Sequence, residues 1–176
     1  MKNTKGLRLL TLLLLGVLIS ASAWAQDSKA NRASPPATAT GKVGPATVVV
    51  NYSSPAVNGR EIWGDLVRYG EVWRSGANEA TTVEVDQDVL VEGQRLPAGR
   101  YSFYTIPGED EWTVIFNKVA DQWGTQYDQQ QDALRVTAKP QKSTAMNERL
   151  KYDVTNDGIV LLWENLMLPV SIKPAQ

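Results

Sequence analysis

Seven consecutive residues, Trp73-Arg74-Ser75-Gly76-Ala77-Asn78-Glu79, place an indole, a guanidinium fork, a carboxamide and a carboxylate in one short stretch. Groups of these types grip sugars, carboxylates or peptides. The ring supplies apolar area, the fork donates in parallel, and the amide both donates and accepts. Arg60, earlier in the same segment, adds a second guanidinium. The candidate ligand-binding residues are therefore Arg60, Trp73, Arg74, Asn78 and Glu79. Within that set Trp73 is expected to pack, Arg74 and Glu79 to pair with each other, and Asn78 to face a ligand. A second account makes the same stretch plain architecture. In it Ile62, Trp63, Leu66, Val67 and Trp73 pin a loop over the open end of the fold. One indole buries about 150–250 Å², which is enough to serve as such a pin.

Composition narrows the chemistry further. The 176 residues include no histidine and no cysteine. That removes Ser-His-Asp catalysis, imidazole bases, thiol nucleophiles, disulfides and nearly every zinc, copper or non-haem iron site. What remains is carboxylate chemistry, in which two Asp/Glu groups stand about 5–5.5 Å or 6.5–9.5 Å apart. Glu79 supplies one candidate, with Glu61, Glu109, Asp110 or Glu164 as its partner. Among 19 acidic residues, however, some pair lies close by chance, so no catalytic residue is assigned. Asp86-Gln87-Asp88 offers only two carboxylates to a hard cation that takes six to eight oxygens, so no metal and no cofactor are expected. The 18 basic residues form no block, which argues against a nucleic-acid partner. The economical reading is a noncatalytic module that binds a glycan, a peptide or an envelope protein through the 53–79 loop. A carboxylate-based hydrolase, such as a glycoside hydrolase, and a purely structural envelope protein are the alternatives.

The elements that must position these residues begin after an export signal. Lys2, Lys5 and Arg8 precede an apolar run from Leu9 to Ala21, and Ala23-Trp24-Ala25 ends in a small-residue cleavage motif. The run is too short for the roughly 20 residues that span a bilayer. Residues 1–25 therefore read as a signal peptide cut after Ala25, which places the protein in the periplasm or outside the cell with no transmembrane segment left. Residues 26–37 are a polar leader, and 38–176 form one domain.

In that domain period-two alternation dominates. Strands are expected near 46–52, 80–85, 88–91, 99–106, 111–118, 133–139, 148–155, 159–164 and 166–172, with a short one at 38–43. Glu92-Gly93, Pro97-Ala98-Gly99, Pro107-Gly108-Glu109-Asp110 and Asn156-Asp157-Gly158 supply the turns. Val83 and Val85 share a face opposite Glu84, the pattern of a half-wet antiparallel strand. No long amphipathic helix is available to cover such a sheet; the closest, 124–132, is short and polar. The fold class is thus all-β: a two-sheet antiparallel β-sandwich of about 8–10 strands, with jelly-roll and immunoglobulin-like strand orders both open. Tyr101, Phe103, Trp112, Trp123, Tyr127 and Trp163 are mostly core by this pattern, with some free to join Trp73 at a rim. Residues 53–79 resist the strand pattern, and loops this long often bind.

Several runs carry a resemblance: Ser34-Pro35-Pro36-Ala37, Tyr52-Ser53-Ser54-Pro55, Gly59-Arg60-Glu61-Ile62-Trp63-Gly64, and above all the stretch from Tyr69 to Thr81. Leu96 to Ser102, Ile106 to Trp112 and Trp163-Glu164-Asn165 continue it. Together they resemble DUF2911, a family of exported bacterial proteins of unknown function frequent in Bacteroidetes. The likeness runs from about Ser34 to Lys173. Ser75 stands where the family usually has Thr and keeps the hydroxyl, and Arg68 stands where it usually has Pro. The resemblance implies an exported β domain and assigns no catalytic role.

Overall fold

The computed structural model describes residue 29 and residues 31–175. The expected signal peptide, its cleavage site and the start of the leader lie outside the described residues.

Ten strands carry the described chain. They are β1 (Pro36–Val43), β2 (Ala46–Ser53), β3 (Thr81–Val85), β4 (Val89–Val91), β5 (Gln94–Leu96), β6 (Gly99–Ile106), β7 (Trp112–Asn117), β8 (Asp132–Ala138), β9 (Gln141–Thr155) and β10 (Gly158–Pro174). They form two antiparallel sheets, one ordered β1-β2-β3-β6-β7-β8 and the other β5-β4-β10-β9. The protein is a β-sandwich. The strand order left open by the sequence is a run of antiparallel neighbours in the larger sheet, from which the β4–β5 hairpin departs to join the smaller one.

Alternation decides which face of the larger sheet goes inward. Val48, Val50, Val83, Val85, Phe103, Val114, Phe116 and Val136 are all buried in the main core. The smaller sheet answers with Leu150, Tyr152, Ile159, Leu161, Trp163, Leu168, Val170 and Ile172, again at period two along β9 and β10. β10 bends at Glu164, whose φ is +53°. It then returns far enough for the Ile172 amide to bond the Asp157 carbonyl at 2.9 Å. The two strands expected there are thus one strand folded back on itself.

β5 escaped the sequence pattern because it is three residues long. Its cause was visible nonetheless: Glu92 and Gly93 both take positive φ (+46° and +81°). That is the primed two-residue turn whose twist suits a hairpin, and it joins Val91 to Gln94. β9 begins earlier than the apolar pattern implied, since Gln141 to Asn147 is mostly polar and only partly paired with β10.

The outer face of the larger sheet carries a row set by register. Thr38, Asn51, Thr82, Ser102, Asn117 and Asp132 stand side by side across all six strands. An outer row of polar residues normally faces water, yet Thr82, Ser102 and Asn117 are buried. The cover is the 118–131 connection. Asn117 Nδ2 donates to the Asp128 carbonyl at 2.8 Å, and Gln122 Nε2 donates to the Tyr104 hydroxyl at 3.0 Å. Beneath it Ala80, Tyr104 and Ile115 form a second small apolar cluster. Within that connection the stretch read as nearest to a helix yields one 3-10 turn, Gln129–Gln131.

Candidate functional site

The 53–79 segment contains no strand of its own; its two tryptophans go to the core, while Tyr69 stays exposed. Ile62 and Val67 are buried, and a tight turn holds them together: the Val67 amide bonds the Ile62 carbonyl at 2.8 Å, and the Gly64 amide bonds the Val67 carbonyl at 2.9 Å. Trp63 and Trp73 meet Trp112 and Trp163 in a four-indole cluster. Trp73 stacks on Trp163 at 5.8 Å and 16°, and Trp63 lies 5.2 Å from Trp112. The Trp73 amide and carbonyl both bond Thr105, at 2.8 and 2.9 Å. Trp73 therefore packs, as expected of it. Leu66, the remaining member of the expected pin, is exposed and takes no part.

The other four candidates are scattered rather than assembled. Arg60 is exposed and spends its guanidinium on its own turn, donating to the carbonyls of Val57 (3.0 Å) and Ala56. Arg74 emerges on the face opposite Trp73, as alternate residues of an extended stretch must. It runs under the 118–131 connection, against Gly124. Burial pulls its pKa below the ordinary value, with Tyr104 acting the other way.

The expected Arg74–Glu79 pair is not formed. Among the described residues Arg74 makes no ion pair, whereas Glu79 takes Arg32 at 2.9 Å and Lys29 at 3.3 Å. The reason is the backbone at Asn78: its positive φ (+58°) turns the chain, so that Glu79 runs alongside Trp123 in a β-bridge. Asn78 is itself committed, since its Nδ2 donates to the Ser34 carbonyl at 3.1 Å and its carbonyl accepts from the Gly124 amide at 3.1 Å. It anchors the leader rather than facing open space. Ser75, which was not a candidate, is buried beneath them. Its hydroxyl bonds that of Thr105 at 3.0 Å, and its carbonyl accepts from Tyr152 at 2.8 Å and Thr81 at 3.1 Å.

Glu79 is the one candidate that reaches a cleft. The cleft lies on the outer face of β2, β3 and β6, between the leader and the 118–131 connection, and has a volume of about 510 Å³. Lys29, Arg32, Glu79, Arg100, Asp121 and Trp123 stand around it, with Asn51, Tyr52 and Thr82 on the strands. Trp123 is 47 % exposed, whereas Trp112 and Trp163 are buried. Thr82 is 4 % exposed, and its hydroxyl has no hydrogen-bond partner among the described residues. A buried hydroxyl left unpaired costs about 1–3 kcal/mol. At Glu79 burial would raise the carboxyl pKa. Bonds from its own backbone, Arg32 and Lys29 outweigh that effect and hold it below the ordinary value.

A second hollow of about 560 Å³ lies along β8 and β10. Two of the three acids that line it are already engaged: Glu92 accepts from the Ser171 amide and Asp157 from Lys173, both at 2.6 Å. No lining side chain there is buried without a partner among the described residues. No group of three or more metal-ligating side chains is assembled among the described residues.

Of the cleft residues, sequence reasoning weighed only Glu79 and, among possible rim aromatics, Trp123. Thr82 was hidden inside an ordinary strand pattern. Its signal was the cross-strand register, which is a property of pairing and not of any single segment.

Fold and cleft together define an all-β sandwich with an open polar site on the outside of its larger sheet. No helix among the described residues is long and apolar enough to cross a membrane. The family model described as "Protein of unknown function (DUF2911)" matches residues 34–172, and the chain belongs to that family. No curated protein and no solved structure matches it. The match begins at Ser34, the residue whose carbonyl Asn78 holds.

Proposed function

We propose that the protein is a noncatalytic binding module for glycans, with its site in the outer-face cleft rather than on the 53–79 loop as a whole. One juxtaposition carries the reading. The exposed Trp123 indole and the polar side chains of Asn51, Glu79 and Arg100 line the same cleft. A sugar presents both complements, an apolar ring face for the indole and hydroxyls that donate and accept. The cleft volume falls within the usual range for small-ligand sites, roughly 300–1,000 Å³.

Catalysis is less well supported. A glycosidase acid needs a raised pKa, and the ion pairs at Glu79 push the other way. The role of the 53–79 segment is to close the sandwich with Trp63 and Trp73 while placing Glu79 and the leader at the cleft.

The test is Trp123→Ala. With nearly half its surface already in water, the indole adds little to folding, so stability should fall by less than about 1 kcal/mol. Affinity for any oligosaccharide that binds the wild type in a glycan screen should drop at least about tenfold, near 1.4 kcal/mol. Unaltered glycan affinity in the variant, measured by calorimetry, would remove the cleft from consideration.

Export belongs to the same reading, because extracellular and periplasmic glycans are then within reach. The signal-like pattern of residues 1–25 supports it. The mature chain should begin at Gln26, as judged by intact mass and N-terminal sequencing of the envelope and secreted fractions. A full-length chain in the cytoplasm would contradict export.

A further inference from the structure

The donors and acceptors around the cleft do not balance. Lys29, Arg32 and Arg100 bring three positive charges to its lining, against the two negative charges of Glu79 and Asp121. Both carboxylates are already engaged: Glu79 by Arg32 and Lys29, and Asp121 by Arg100 at 2.6 Å. The guanidinium groups are not used up. Arg32 reaches Glu79 through Nη1 alone, and Arg100 reaches Asp121 through Nη1 alone. Each guanidinium has five N–H donors in a planar fork. Among the described residues the Nε and Nη2 groups of both arginines therefore make no protein hydrogen bond. Their side chains are 34 % and 39 % exposed, so those donors are open to a ligand.

Building on the glycan reading above, we infer that the ligand is an acidic glycan, a sugar chain carrying carboxylates. A neutral sugar can accept from the spare forks through its hydroxyls, but it brings no charge and no paired oxygens to match them. A carboxylate brings acceptors only, carries the charge that the lining lacks, and matches the fork in two parallel bonds. Trp123 then takes the ring that bears it. A sulfated sugar offers the same anionic oxygens in tetrahedral form, and the experiment separates the two.

The probes are oligogalacturonate, its carboxyl methyl ester, a sulfated galactan fragment and the neutral galacto-oligosaccharide, each titrated at low and at physiological salt. The acid should bind about tenfold tighter than its ester or the neutral chain, as charge-assisted hydrogen bonds imply. That advantage should shrink as salt rises. Arg100→Gln should remove most of the advantage. Arg32→Gln should do the same, and because Arg32 also holds Glu79, thermal unfolding of both variants checks that the fold is kept.

Equal binding of acid and ester, or an advantage untouched in both variants, would overturn the acidic class and leave the glycan reading standing. Preference for the sulfated chain over the uronate would overturn the carboxylate assignment. No binding by any of the four, nor by neutral gluco- and manno-oligosaccharides, would overturn both.

Discussion

Trp112→Ala is expected to destabilise the protein by about 3–5 kcal/mol, the usual result of emptying a tryptophan site in a core. Trp112 is fully buried at the start of β7, in contact with both Trp63 and Trp73. Those two indoles are what seat the 53–79 segment on the sandwich. Truncation therefore leaves a cavity and also loosens the segment that delivers Glu79 and Asn78. Domains hold only about 5–15 kcal/mol in total, so the variant should be marginal at 37 °C. Trp112→Phe provides the discriminating control. The Trp112 indole N–H is buried without a partner among the described residues, so losing it forfeits no hydrogen bond there. The phenylalanine variant should accordingly keep more than half of the lost stability. Urea unfolding monitored by circular dichroism measures both. A loss below about 2 kcal/mol for the alanine variant would show that the four-indole cluster does not hold the segment.

The alternation of Val48 and Val50, of Val83 and Val85, and of Ile159 and Leu161 was legible as one-faced strands, and the lack of a covering helix made a second sheet necessary. The Trp73–Glu79 motif was legible as distinctive. Its geometry was not, because neighbouring positions in sequence diverge once the backbone turns. Trp73 and Arg74 point to opposite faces, and Asn78 in the left-handed region sends Glu79 away from Arg74. The partners that Glu79 does find, Lys29 and Arg32, sit in a leader whose polar composition gave no hint of docking. The leader is held by backbone groups: the Ser54 amide bonds the Pro35 carbonyl at 2.8 Å, and Asn78 bonds that of Ser34. Contacts to main-chain carbonyls leave little mark on residue type at the accepting position. The floor of the cleft comes from three strands far apart in sequence, with Asn51 on β2, Thr82 on β3 and Arg100 on β6.

Gly124→Ala should damage the cleft more than any substitution that leaves the core intact. The residue lies directly over Arg74, and an added Cβ would fall 2.0 Å from Arg74 Cδ, 2.8 Å from the Asn78 carbonyl oxygen and 3.0 Å from Arg74 Cβ. None of these atoms yields easily. Cδ lies behind a partly buried guanidinium, and the Asn78 carbonyl is fixed by its bond from the Gly124 amide itself. The connection must therefore lift, carrying Trp123 with it and breaking the bridge to Glu79. Overpacking of this kind costs about 1–3 kcal/mol. Glycan affinity should fall further than in Trp123→Ala, since Glu79 and Gln122 lose their positions as well. Arg74 on this account is a positioning residue that supports the connection and does not touch the ligand. The double variant Gly124→Ala with Arg74→Ala removes the worst contact and should recover part of both stability and binding. The expected coupling between the two sites exceeds about 0.5 kcal/mol, as it does for residues in direct contact. Wild-type stability and affinity in Gly124→Ala would show that the connection does not rest on Arg74. Strict additivity in the double variant would show that Arg74 and the connection act separately, and would leave Trp123 to be positioned by its bridge to Glu79 alone.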